Sequence, residues 1–447
     1  MCRESYPLST ELTLTERPRV YPVMNNRTMA DMRLAATPAA IDSPDMRRAS
    51  PDLLSLALMD ARNHTLGLLR LYEPPQTTTM PTVQGTDPPW WLAGHIGWFA
   101  EHWIGRNAMR GRGRACPADA LRLASIEPNA DRWWSSALAP RATRWQMDLP
   151  APEATRAFLL ETLETTLELL EKTPDEHQAL YFFRLALHHE DLRGEQLIIL
   201  AQTLGLPLKL NLPGGMRQRD AILLPATRWQ LGSDAHDGFC PDNELAVHEV
   251  AVPEFEIDAQ PVSWSQYLEF VDDGGYDRAD LWHPAGWDWL QAFDGQFGNG
   301  QGRRGPRHVE QISVASGAVL QTRFGKAARM AGNQAVMHVS WWEADAWCRW
   351  AGRRLPLELE WEIAACQAGR RGFAWGDVWE WTANSLYAYP GFEAGPWADY
   401  SAPHFAKARV LRGASFATRA RMKHPRFRGF ALPDYDQGFV GFRSCAV

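Results

Sequence analysis

Tyr181-Phe-Phe-Arg-Leu-Ala-Leu-His-His-Glu-Asp-Leu-Arg-Gly-Glu-Gln-Leu-Ile-Ile-Leu200 reads as one helix. Phe182, Leu185, Leu192 and Ile199 recur at helical spacing, and no proline interrupts them. His189 lies on the same stripe, with His188, Glu190 and Asp191 beside it. An imidazole on a core-facing stripe needs a partner, so it is either a hydrogen-bonded core histidine or a metal ligand. A second aromatic-lined helix, in Pro88-Pro-Trp-Trp-Leu-Ala-Gly-His-Ile-Gly-Trp-Phe-Ala-Glu-His102, supplies a second histidine, His95.

Two further helices flank this pair. Residues 51–73 carry a broad leucine face, with Pro51 suited to a first helical turn. Residues 152–172 carry another, through Leu159, Leu160, Leu163, Leu167 and Leu170. With helices at about 90–107 and 174–204, and Gly205 as a stop, the pattern is a four-helix bundle over 51–206. Residues 108–150 are its long irregular crossover. Such bundles build metal sites from inward side chains on facing helices. Residues 1–50, rich in Pro, Arg, Thr and Ser without a period, read as a disordered extension, with Met24, Met29 and Met32 as alternative starts.

After Leu206 the composition changes. A linker over 207–225 leads to a Gly/Trp-rich α+β domain over 226–447, with strand character at 222–225 and 245–252. Ser340-Trp-Trp-Glu343 is a capping box that opens a helix closed by Gly352. Arg303-Arg304 reads as solvated loop.

The composition excludes several classes of function. A net charge of -7 without a long basic run argues against nucleic acid and anionic membrane as partners. No apolar run is long enough for a transmembrane helix, and the N-terminus lacks an apolar signal core. The six cysteines are scattered without a CxxC pair, and read as reduced packing thiols of a cytoplasmic protein. The 21 tryptophans point to an irregular fold held by buried aromatics.

The C-terminal half resembles the formylglycine-generating-enzyme/sulfatase-modifying-factor domain, a C-type-lectin-like fold. The matching segments include His338-Val-Ser-Trp-Trp-Glu-Ala344, Trp350-Ala-Gly-Arg-Arg-Leu-Pro356, Gly376-Asp-Val-Trp-Glu-Trp-Thr382, Val410-Leu-Arg-Gly413 and Gly441-Phe-Arg443. The N-terminal half resembles the DinB-like bundle. In this order the two resemble the ergothioneine-synthesis sulfoxide synthases and the related selenoneine synthases. The Pro-Pro-x-Trp-x-x-Gly-His entry to the second helix is most similar to the selenoneine branch.

That resemblance implies a mononuclear non-haem Fe(2+) enzyme. It would use O2 and a seleno- or thio-donor to form a C–Se or C–S bond at imidazole C2 of hercynine (trimethylhistidine). It also implies three histidine ligands, one from the second helix and two from an H-x-x-x-H-x-E motif on the fourth. His95 and His189 match two of these metal positions, and Glu195 matches the motif's acidic residue, which the resemblance implies would orient a metal-binding histidine. The third position is Arg193, which has no lone pair to give a metal. His188 points about 100° away from His189 round the helix, and His102 lies two turns beyond His95. A ligand from the C-terminal domain or water would complete the site; otherwise the fold is a metal-free binding module.

Tyr387 and Tyr389 are the candidates for an assisting tyrosine, with Tyr389 the better positioned match. Arg141 and Arg144 are candidates to face the carboxylates of an acidic co-substrate, and Arg428 is a third substrate-binding candidate. Three other departures stand out. Leu357 occupies a usual Thr cap, Gly429 a usual Asn, and Ala414 the second Gly of an Arg-Gly-Gly-Ser-Phe pattern. Formylglycine generation, the other enzymatic reading, relies on a cysteine pair near the chain end, where Cys445 stands alone.

Overall fold

Four apolar stripes become four packed helices: α1 (Pro51–Leu69), α2 (Pro89–Ala100), α3 (Pro152–Glu171) and α4 (His177–Thr203). This is a computed structural model, which describes residues 38–73, 80–292, 302–313 and 316–447. The chain divides into two units, Met1–Ala40 and Ile41–Val447, and both folded domains lie in the second. Prolines at the first turns of α1, α2 and α3 begin the helices without losing a hydrogen bond. α2 packs on α3 and α4, and α1 packs on α3 and α4. Leu54, Leu58, Trp91, Ile96, Phe99, Leu159, Phe182 and Leu197 share one core. Each such side chain contributes roughly 1.5–3 kcal/mol by leaving water. α2 is buried on nearly every side and ends in a π-turn over Glu101–Gly105. The crossover is irregular apart from short helical turns, one of which is Ala130–Trp134.

The C-terminal domain is built from small sheets and short helices. β1 (Ile222–Leu224) pairs with β4 (Phe255–Ile257), and β2 (Thr227–Leu231) with β3 (His248–Val252). β5 (Val309–Ser313), β6 (Ala318–Arg323) and β7 (Lys326–Met330) form a three-stranded antiparallel sheet. The central sheet holds β8 (Trp379–Ser385), β9 (Arg409–Gly413), β10 (Gly429–Ala431) and β11 (Val440–Phe442) in the order β10-β9-β8-β11. β11 runs parallel to β8 and the other pairs are antiparallel. Helices α5 (Trp264–Asp272), α6 (Trp341–Trp350) and α7 (Glu358–Gln367) pack in the domain, together with a shorter helix over Pro284–Gln291. The Ser340–Glu343 capping box forms as its spacing predicts.

Buried polar ties bind α4 to this domain. Glu195 accepts hydrogen bonds from Trp379 Nε1 (2.9 Å), Ser415 Oγ (2.6 Å) and Thr418 Oγ1 (2.8 Å). Asp191 takes two from the Arg421 guanidinium, at 2.6 and 2.7 Å. Glu190 pairs with Arg62 of α1 at 2.9 Å.

Several sequence expectations change here. The extension gives way before residue 50: Ser43 caps a turn over Pro44–Arg48, and buried Arg47 pairs with Glu244 at 2.7 Å. Residues 1–37 of that expectation lie outside the described residues. Arg303 is not solvated loop but a buried cation held by Asp436 and Glu343. Leu357 has no side-chain acceptor, yet its helix start is served by Asn384, whose Oδ1 accepts from Glu358 N–H at 2.8 Å. Ala414 is fully buried and is absent from the positive-φ residues, so it carries no glycine-type strain.

Candidate active site at the paired histidines

α2 and α4 bring His95 and His189 together, with their Nε2 atoms 3.2 Å apart. His95 Nδ1 lies 2.8 Å from the Trp134 carbonyl oxygen. A carbonyl only accepts, so Nδ1 carries the proton and Nε2 keeps its lone pair. The same turn explains Gly94. A Cβ there would lie 2.0 Å from the Trp134 indole, so only glycine lets this tryptophan reach the helix. His95 stacks between Trp91 and Trp98, and His189 lies flat on Phe99 with ring centroids 3.7 Å apart. Burial, then the nearby Arg193 charge, pushes the His95 pKa down to about 3, and the same causes hold His189 well below its ordinary value. Both rings are neutral at physiological pH.

Arg193 follows one turn after His189 on α4. Its Nε–H donates to His189 Nε2 at 3.1 Å, and its Nη1 donates to Gln196 at 2.9 Å. Burial lowers its pKa to about 10, so it stays cationic. The two imidazoles suit one metal ion. Lone pairs 3.2 Å apart repel each other, and that separation matches two nitrogens sharing a cation at roughly 2.0–2.1 Å each. Arg193 does not suit it, because its nitrogens only donate. Among the described residues, no group of three or more His, Cys, Asp or Glu is placed to hold a metal.

A small cavity of about 20 Å3, open to the surface, lies beside His189. It runs along α4 past Tyr181, Leu185, His188 and Leu192, and its opposite wall comes from the C-terminal domain. His188 donates from Nδ1 to the Arg184 carbonyl at 2.8 Å. Its buried Nε2 has no hydrogen-bond partner among the described residues. Trp397 packs edge-on against both Phe99 and His189, and Tyr400 follows it along the wall.

The other sequence candidates lie elsewhere. Glu195 touches neither His95 nor His189; all three of its bonds go to the C-terminal domain, so it ties domains together. The Tyr389 hydroxyl is bonded to Glu358 and Arg412, both at 3.1 Å, and its ring lies under Arg428. It does not line the cavity, whereas Tyr181 and Tyr400 do. Tyr387 is exposed. Arg428 is buried, with two nitrogens on Glu358 and a third on the backbone carbonyls of Asn243 and Tyr387. It is therefore committed to the fold rather than to a substrate. Arg144 and Arg141 both pair with Asp87, at 2.8 and 3.1 Å. Arg144 also stacks on Trp91, while Arg141 remains half exposed. Sequence reasoning missed Trp134, Trp397 and Tyr400. The only local signal was the Gly-His pair of α2, which calls for a close neighbour without naming it.

Comparison with known proteins places both domains. Residues 57–197 match the DinB superfamily. Residues 211–378 and 373–446 match the sulfatase-modifying factor enzyme 1-like domain. A hercynine oxygenase of Mycolicibacterium thermoresistibile is 30% identical over 455 residues, covering 87% of this chain and 94% of its own. One from Mycolicibacterium smegmatis is 29% identical over 413 residues, covering 79% and 89%. A formylglycine-generating enzyme of Streptomyces coelicolor is 28% identical over 287 residues, covering 51% of this chain and 89% of its own. Among solved structures, PvdO from Pseudomonas aeruginosa aligns with a TM-score of 0.30 at 16% identity, covering 50% of this chain and 93% of its own.

Proposed function

Because this chain belongs to the hercynine oxygenase family, with a DinB bundle joined to a sulfatase-modifying-factor domain, we propose that it is an iron(II)- and O2-dependent oxidoreductase acting on hercynine. The reaction joins selenium or sulfur to C2 of the imidazole ring. The observation that carries this reading is the approach of His95 Nε2 and His189 Nε2 to 3.2 Å beside a cavity. These two residues would hold the iron. When bound, iron supplies open positions for imidazole, a soft chalcogen donor and oxygen.

The chain's own residues prepare the site. The Trp134 carbonyl fixes the His95 tautomer, and Phe99 fixes the His189 ring plane. His188 Nε2 is an acceptor for the ring N–H of the ligand. Burial pushes the Tyr400 pKa up, so its hydroxyl keeps its proton at neutral pH and has it to donate. The test is anaerobic iron(II) titration, followed by hercynine with a thiol or selenol donor under O2. The expected result is iron binding that is lost in His95→Ala and His189→Ala, and a product carrying sulfur or selenium on the ring. Absence of both iron and product refutes it.

The Arg193-to-His189 hydrogen bond favours a second reading, a metal-free binding protein of the same fold. Under it, wild type takes up no iron, hercynine still binds, and Arg193→His restores iron uptake.

A further inference from the structure

Alternation along β6 turns Val319, Gln321 and Arg323 to the buried side of its sheet. Arg323 is only 6% exposed, and its surroundings link it to two histidines. Its Nε donates to Gln321 Oε1 at 3.3 Å, and Gln321 Nε2 donates to the Arg307 carbonyl at 3.3 Å. The Thr322 N–H donates to the His308 carbonyl at 2.9 Å, and the Arg307 N–H to the His338 carbonyl at 3.2 Å. The His308 and His338 rings meet edge to face, with centroids 4.8 Å apart. Three nitrogens of this cluster are buried without a hydrogen-bond partner among the described residues: Arg323 Nη2, His308 Nε2 and His338 Nδ1. Both histidines also hold left-handed backbone, with φ of 65° and 64°, a conformation that residues with a Cβ adopt rarely and that gathers where ligands are clamped.

The charges around the cluster do not balance. Arg303 pairs with Glu343 and Asp436, and Arg307 pairs with Asp436, so both carboxylates are already engaged. Arg323 has no carboxylate acting on it among the described residues. Burial alone lowers its pKa, to about 10, so the guanidinium stays charged at neutral pH. A buried cation without a counter-charge is costly, and an orphaned donor on it adds to the cost. Guanidinium and imidazole N–H groups are donors that hold an anion, and each ring has a tautomer that turns the N–H of its unpartnered nitrogen to one. A metal cation would be repelled here, since the charges of Arg303, Arg307 and Arg323 all reach the two imidazoles. We propose that Arg323, His338 and His308 enclose a small monovalent anion, chloride. The site stands apart from the paired histidines. Gln202 of α4, whose Nε2 donates to the Thr322 carbonyl at 2.9 Å, lies roughly 20 Å along the helix from His189. Gln202 Oε1 also accepts from the Phe324 N–H at 2.8 Å, so an anion that steadies Arg323 steadies the strand end docked on α4.

Thermal unfolding of the full chain tests this, with chloride titrated into gluconate buffer at constant ionic strength. Gluconate is too large for an enclosed site. The expected result is a saturable rise of about 2–4 °C in melting temperature, reproduced by bromide and absent in Arg323→Gln. Crystals of the wild-type protein grown in bromide locate the anion directly. An anomalous peak is expected between Arg323 Nη2 and the two imidazole rings. That measurement needs no variant, so it stands even if Arg323→Gln fails to fold. Absence of a bromide peak at the cluster overturns the proposal and leaves the three nitrogens to buried water. A chloride effect of equal size in folded Arg323→Gln overturns it as well.

Discussion

Replacing Glu195 with alanine is the sharpest test of how α4 is used. The sequence motif makes this residue an orienter of a metal ligand, whereas the structure makes it a tie between domains. Its carboxylate accepts from Trp379, Ser415 and Thr418, all in the C-terminal domain. Hydrogen bonds to a charged group contribute about 1.5–3 kcal/mol each. The three losses do not simply add. Ser415 and Thr418 also bond each other at 3.3 Å, and Ser415 N–H donates to Thr418 Oγ1 at 2.9 Å, so the hydroxyls keep partners. The Trp379 indole N–H is left with no replacement carboxylate. Weighing these terms, Glu195→Ala should cost about 3–5 kcal/mol, as for other broken buried polar networks. Urea unfolding followed by tryptophan fluorescence measures it. A double-mutant cycle with Thr418→Val should show coupling of about 1–2 kcal/mol. A loss below about 1 kcal/mol with no coupling, alongside weakened metal binding, would show that Glu195 serves the histidines after all.

Arg193→His should raise iron(II) affinity by about tenfold or more, read by anaerobic titration, since it adds a lone-pair donor one turn from His189 and removes a cation. Unchanged affinity would mean that the guanidinium already swings clear of the pair. Gly94→Ala would set a Cβ 2.0 Å from the Trp134 indole; moving that ring should cost about 1–3 kcal/mol and loosen the His95 Nδ1 bond, visible in the His95 imidazole NMR signals. Acid should destabilise the protein through His424 and His308, whose pKa values are lowered, chiefly by burial, to about 3 and about 4. Both groups bind protons more readily when unfolded, near pH 6.5, so their contribution is present above that pH and is lost as pH falls toward about 4. The melting temperature should drop across that window, and a flat profile from neutral pH to about 4 would contradict these burials.

Much of this protein was legible along the chain. Leucine stripes over 51–73 and 152–172, the aromatic stripe around His95 and the uninterrupted run through His189 encode buried faces. A helix repeats every 3.6 residues regardless of what it packs against. The capping box at Ser340 is likewise local, because both of its hydrogen bonds span three residues. Tertiary structure decided the rest, wherever a partner is distant in sequence. The carbonyl that sets the His95 tautomer is 39 residues away, and the Glu195 partners are 184 to 223 residues away. Tyr389 and Tyr400 look alike as sequence, yet Glu358 and Arg412 draw the first into a buried ion-pair network, while Tyr400 follows Trp397 onto the cavity wall. Residue type states what a side chain can bond to. Only the packed chain decides which of those partners comes within 3 Å, because the strength of a hydrogen bond or ion pair depends on distance and burial rather than on sequence separation.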